Sequence, residues 1–130
     1  MKKNLIIVDE KKLKNYLLIA SRIPDIPGNK LGLVLNKLLN TEDKEEKQII
    51  ERFLIESFLK LVIHIANKYR GAGYSFAKLI KFGNLGLIKT VKEWEKSKNE
   101  NFIQTLIWNV EGEILNGILK EKKSNRERVK

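Results

Sequence analysis

The only two prolines, Pro24 and Pro27, lie three residues apart near the start, and none follows Pro27. Proline fixes φ and removes a backbone donor, so helices are interrupted there and free to run elsewhere. Hydrophobic residues keep a period near 3.6 through almost the whole chain, which defines amphipathic helices. The reading is an all-α, compact helical bundle. The sole strand-like stretch is the short, continuously apolar run at residues 5–8.

Asp9 caps a first helix that reaches about residue 22, with Leu13, Tyr16, Leu17 and Ala20 on one stripe. Beyond the prolines, a short second helix covers about residues 30–39, with Leu31, Val34, Leu35 and Leu38 inward. Thr41 is a good N-cap, and Glu42, Asp43, Glu45 and Glu46 suit the positive end of a helix dipole. The helix opened there is expected to run unbroken to Tyr69 or Arg70 and to span roughly 40 Å. Gly71-Ala72-Gly73 stops it. Ser75 caps the next helix, to about Trp94, with Phe76, Leu79, Ile80, Gly83, Leu87 and Val91 on its buried stripe. Gly83 and Gly86 each cost about 1 kcal/mol in a helix, which a closely packed neighbour would offset. A polar turn at residues 96–101 leads to a last helix over about 102–119, and the charged stretch 120–130 is expected to fray. This divides the chain into an N-terminal extension of two short helices (1–40), a helical domain (41–119) and a tail (120–130).

With 42% hydrophobic and 32% charged residues, a chain of 130 is a folded domain. The absence of cysteine excludes disulfides and thiolate metal sites, and a single histidine, His64, excludes a multi-histidine zinc site. His64 reads as a satisfied, buried or half-buried histidine on a largely apolar helix. No phosphate-binding glycine loop, nucleophilic triad or paired acid–base carboxylates is present, so no catalysis and no cofactor are expected. The start carries too short an apolar run for a signal peptide, no stretch approaches a membrane span, and the expected location is the cytoplasm.

The net charge is +10, which favours polyanionic partners. Its distribution is uneven. Residues 66–98 carry net +6 and residues 120–130 net +4, whereas residues 99–119 carry three glutamates and no Lys or Arg.

From Leu61 onward the motifs are specific. Leu61-Val62-Ile63-His64-Ile65-Ala66-Asn67-Lys68-Tyr69 is followed by Gly73-Tyr74-Ser75-Phe76, then by Leu79-Ile80-Lys81-Phe82-Gly83-Asn84-Leu85-Gly86-Leu87-Ile88-Lys89-Thr90-Val91. This stretch resembles region 2 of bacterial RNA polymerase sigma factors of the primary type. The likeness covers about 55 to 65 residues, with a faint upstream echo at residues 17–23. It implies a bundle of three to four helices behind the two N-terminal ones. It also implies that the helix from Phe76 docks on the β′ clamp helices of core RNA polymerase, with Lys78, Leu79, Lys81, Phe82, Asn84 and Ile88 as contact residues. The last helix and the turn before it would hold the non-template strand of the promoter's minus-ten element, preferentially single-stranded. Lys89, Lys92, Lys98, Phe102, Gln104, Thr105, Trp108 and Asn109 are the implied DNA contacts.

The departures from the family pattern are as informative. Lys78, Lys81 and Phe82 stand where the family has Asp, Gln and Glu. Phe102 and Trp108 alone remain of the reading helix's aromatic set, and Glu111 and Gly112 replace an arginine and a glutamine. The resemblance therefore implies a sigma-like initiation factor, with a separate protein supplying the upstream-element reader. The alternative is a degenerate sigma domain that regulates the polymerase or a companion subunit through protein contacts, without opening promoters.

Overall fold

The computed structural model describes residues 7–94 and 101–129, with side chains described as far as residue 123. Among the described residues the regular structure is six α-helices: α1 (Leu13–Ser21), α2 (Gly28–Asn40), α3 (Lys44–Ser57), α4 (Leu59–Asn67), α5 (Phe76–Lys92) and α6 (Phe102–Val129). Single 3-10 turns at Glu10–Lys12 and Arg70–Ala72 precede α1 and α5. No strand occurs among the described residues, and Ile7 and Val8 are irregular. No helix there is long and apolar enough to cross a membrane.

The long helix expected from residue 41 to 69 is two helices. At Phe58 the backbone leaves the helical region (φ −108°, ψ 9°), and its N–H donates to the Ile55 carbonyl, three residues back instead of four. The Ser57 hydroxyl donates to the Phe53 carbonyl at 2.6 Å and competes with the backbone for that acceptor, a pattern that often bends helices. The displaced Phe58 ring packs on Phe102, with centroids 5.5 Å apart. The cap also shifts by two residues. Asp43, not Thr41, accepts the first-turn N–H of Glu45 at 3.0 Å, and the Thr41 hydroxyl accepts the Asp43 N–H instead.

Helix α4 stops at Asn67, and Gly73 closes the 3-10 turn after it with φ 89°, a conformation that costs a residue with Cβ about 1 kcal/mol or more. Ser75 caps α5 as the sequence suggests, accepting from the Lys78 N–H. At the other end α6 runs ten residues beyond the expected stop, to Val129. The stretch after Leu119 contains no glycine or proline and is rich in Lys, Glu and Arg, which are good helix formers. Two cross-links also hold its start: the Tyr74 hydroxyl donates to the Ile118 carbonyl, and Lys78 pairs with Glu121 at 3.0 Å.

One continuous core joins all six helices. Leu54, Leu59, Val62, Leu79, Ile80, Leu87, Leu106, Val110 and Ile114 have no solvent exposure, and Tyr16, Ala20 and Leu38 extend the same cluster into α1 and α2. Helices α5 and α6 run antiparallel, with the Gly83 and Gly86 side of α5 laid against Val110 and Asn109. The two glycines thus permit the close approach that the sequence suggests. Thr90 and Asn109 then link the backbones: the Asn109 amide donates to the Thr90 hydroxyl at 2.8 Å, which donates to the Gly86 carbonyl at 2.8 Å.

Candidate functional site

Helix α5 sets the site because its two sides differ completely. Ala77, Leu79, Ile80, Gly83, Asn84, Gly86, Leu87, Thr90 and Val91 are buried. Lys81, Leu85, Lys89 and Lys92 face solvent, with Lys78, Phe82 and Ile88 half-buried at the edges.

The six residues implied as polymerase contacts are therefore not one surface. Leu79 has no exposure and Asn84 only 1%, so neither reaches a partner in this structure. Helical angle explains it: Leu79 and Asn84 lie beside Ile80, Gly83 and Leu87, on the side that faces the core. The Asn84 amide donates to the Tyr16 hydroxyl at 3.1 Å, a buried bond that ties α1 to α5. Phe82 lies against Gly117 on α6. Lys81 and Ile88 remain accessible from the set, and Lys78 does so while pairing with Glu121. Leu85, absent from the implied set, is 52% exposed at the centre of the outward face. Its position four residues from both Lys81 and Lys89 was the available signal.

The implied DNA contacts also divide. Phe102 is in the core, wedged between Phe58 and an edge-on Trp94 at 5.1 Å. Its placement as a DNA contact gives way to packing, because the start of α6 is pinned there by three aromatic rings. Asn109 is turned toward α5 and bonded to Thr90. Lys92 extends to Glu51, whose carboxylate is buried, at 2.9 Å. Lys98 lies outside the described residues. Lys89 and Gln104 are exposed, Thr105 is half-buried, and Trp108 is 67% exposed on the outer side of α6. Trp108 begins an outward stripe that continues through Gly112, Leu115 and Leu119. Glu111, beside it, accepts a 3.4 Å hydrogen bond from the Tyr69 hydroxyl.

His64 is exposed, neither buried nor half-buried. It lines a shallow groove of about 400 Å³ between α1 and α4 with Leu17, Lys60, Ile63 and Phe76.

Two tyrosines hold their protons above the ordinary phenol range. Burial lifts the Tyr16 phenol above its ordinary value of 10.0, and the hydrogen bond from Asn84 opposes the rise. Tyr69 moves the same way, through burial first and then through the charge and hydrogen bond of Glu111. A folded phenol that holds its proton more tightly contributes stability that is intact below the unfolded value of 10.0 and is lost as pH climbs through the raised one. Tyr16→Phe is expected to cost about 1 kcal/mol at neutral pH through the lost acceptor. It is also expected to flatten the alkaline decline in stability, measured by urea unfolding at neutral and alkaline pH. A decline as steep as the parent's would show that Tyr16 does not contribute to it.

With this geometry in view, the class is defined: residues 54–124, more than half of the chain, match the Sigma-70 region 2 family, and the protein belongs to it. The match extends beyond the residues that carry the motif likeness. Among curated relatives, the RNA polymerase sigma factor SigA of Bacillus sp is 27% identical over 114 residues, covering 88% of this chain and 29% of that protein. The SigA proteins of Mycoplasma genitalium and Mycoplasma pneumoniae are each 32% identical over 90 residues, covering 69% of this chain and 18% of theirs. The chain thus spans less than a third of the length of these relatives.

Proposed function

We propose that this chain is a sigma-type transcription initiation factor that works in the cytoplasm without catalysis or cofactor. It binds core RNA polymerase through the outward side of α5 and contacts single-stranded minus-ten DNA through the outer side of α6. The observation that carries the reading is the family match over residues 54–124, which contains all of α4 and α5 and most of α6. The open surfaces of these helices support it. On α5 the accessible contact residues are Lys78, Lys81 and Ile88; on α6 they are Gln104, Thr105 and Trp108. Lys89 extends the cationic edge.

The deciding experiment combines purified protein with core polymerase and maps transcript ends on promoter templates. Initiation at a defined start site supports the reading, and its absence in the presence of firm polymerase binding refutes promoter opening. Trp108→Ala tests DNA contact separately. An exposed aromatic that stacks on one base contributes about 1–3 kcal/mol. Affinity for a single-stranded minus-ten oligonucleotide is then expected to fall about tenfold, as read by fluorescence anisotropy. Unchanged affinity would remove Trp108 from the DNA surface.

A specific observation favours a second reading, in which the domain regulates polymerase through protein contacts alone. No Lys or Arg occurs between residues 101 and 119, and Glu111 stands near Trp108 on the helix that would meet phosphates.

A further inference from the structure

We infer that the outward face of α5 is built for an acidic, partly apolar protein surface, so the charge relation between docking helix and partner is the reverse of that implied by the family pattern. The inference rests on the polymerase-docking reading and names the chemistry of the partner surface. Lys78, Lys81, Leu85, Lys89 and Lys92 follow one another at intervals of three or four residues and therefore share one side of the helix. No Asp or Glu occurs anywhere in Phe76–Lys92. The two outer lysines are already engaged: Lys78 with Glu121 at 3.0 Å and Lys92 with Glu51 at 2.9 Å. Among the described residues, neither Lys81 nor Lys89 has a carboxylate within ion-pairing distance. Both are exposed, one turn to either side of Leu85, which is 52% exposed itself.

The complementary surface has carboxylates about 12 Å apart along an axis, with an apolar recess between them to receive Leu85. A nucleic acid fits less well. The centre of the face is aliphatic, with Ile88 beside Leu85. The face has no arginine, and its one nearby aromatic, Phe82, lies on Gly117. Phosphate tracking would leave the leucine without a contact.

The test compares three exposed-site variants of the full chain, each first checked for an unchanged melting curve: K81E/K89E, L85A and K11E/K14E. The last makes the same charge change on exposed lysines at the start of the chain. Affinity for core polymerase is expected to fall about tenfold or more in K81E/K89E and severalfold in L85A, and to stay within about twofold in K11E/K14E. Added salt should weaken the parent's binding and shrink the K81E/K89E effect. A second arm uses a fluorescent amphipathic peptide of leucine and glutamate, for which the same ranking is expected. Equal losses in both double variants would reduce the effect to net charge and overturn the inference. So would tighter polymerase binding by K81E/K89E, or a loss confined to DNA binding. If the parent chain ignores polymerase yet ranks the peptide as stated, the docking reading falls and the acidic-surface inference stands. If it binds polymerase and K81E/K89E makes no difference, the inference falls and the reading stands.

Discussion

Gly86→Ala is expected to cost about 3 kcal/mol or more and to lower the melting temperature by about 10 °C. Helix propensity alone argues the other way, since alanine in a helix interior is favoured over glycine by about 1 kcal/mol. Contact geometry decides the sign. A methyl at position 86 would collide with the Asn109 carbonyl oxygen and lie 2.7 Å from the Val110 Cα. These are backbone atoms of a neighbouring helix and cannot rotate away, so α5 and α6 would have to separate. Separation would in turn break the Asn109–Thr90–Gly86 hydrogen-bond chain. Gly112→Ala is the natural control, because a methyl there meets nothing within 4 Å and recovers the propensity gain. Thermal melts of both variants by circular dichroism check the pair. Equal stability would mean that the two helices are not in close contact at Gly86.

Leu79→Ala is expected to cost about 2–5 kcal/mol, the range for deleting most of a fully buried aliphatic side chain. Leu79 has no solvent exposure and sits in the same cluster as Ile80 and Leu87. Its substitution should therefore lower stability in chemical denaturation and reduce polymerase binding only in proportion to the fraction unfolded. Ile88→Ala, at the edge of the outward face, should show a much smaller loss of stability. A Leu79→Ala variant that folds as well as the parent but fails to bind would return Leu79 to the docking surface.

The contrast between Leu79 and Leu85 shows what was legible in the residues. Helical period placed α1, α2, α5 and the first half of α6 well, because each has a single apolar stripe and a clear stop or cap. The family pattern supplied positions on α5 but not their orientation. Leu79 and Asn84 entered the site by position in a motif, whereas their angle on the helix, beside Ile80 and Gly83, already directed them inward. Leu85 was readable by the same angle. The bend at Phe58 was not, because serine within a helix is compatible with a straight one, as the same bond from Thr90 to Gly86 within α5 shows. The partner of Lys92 was equally out of reach, since Glu51 lies 41 positions away and belongs to a different helix. Phe102 was ambiguous on sequence alone: an aromatic at a helix start serves a core or a surface, and only the arrival of Phe58 and Trp94 decides between them.

The hydrogen bond between Asn84 and Tyr16 bears on how the protein can be dissected. It joins positions 68 residues apart, and Tyr16, Ala20, Leu38 and Ile50 all lie upstream of the family's first matched residue, Leu54. A fragment cut to 54–124 would open that flank of the bundle to water and leave a buried amide facing it. Such a fragment is therefore expected to unfold at a lower temperature than the full chain, because the upstream helices shield part of the matched stretch.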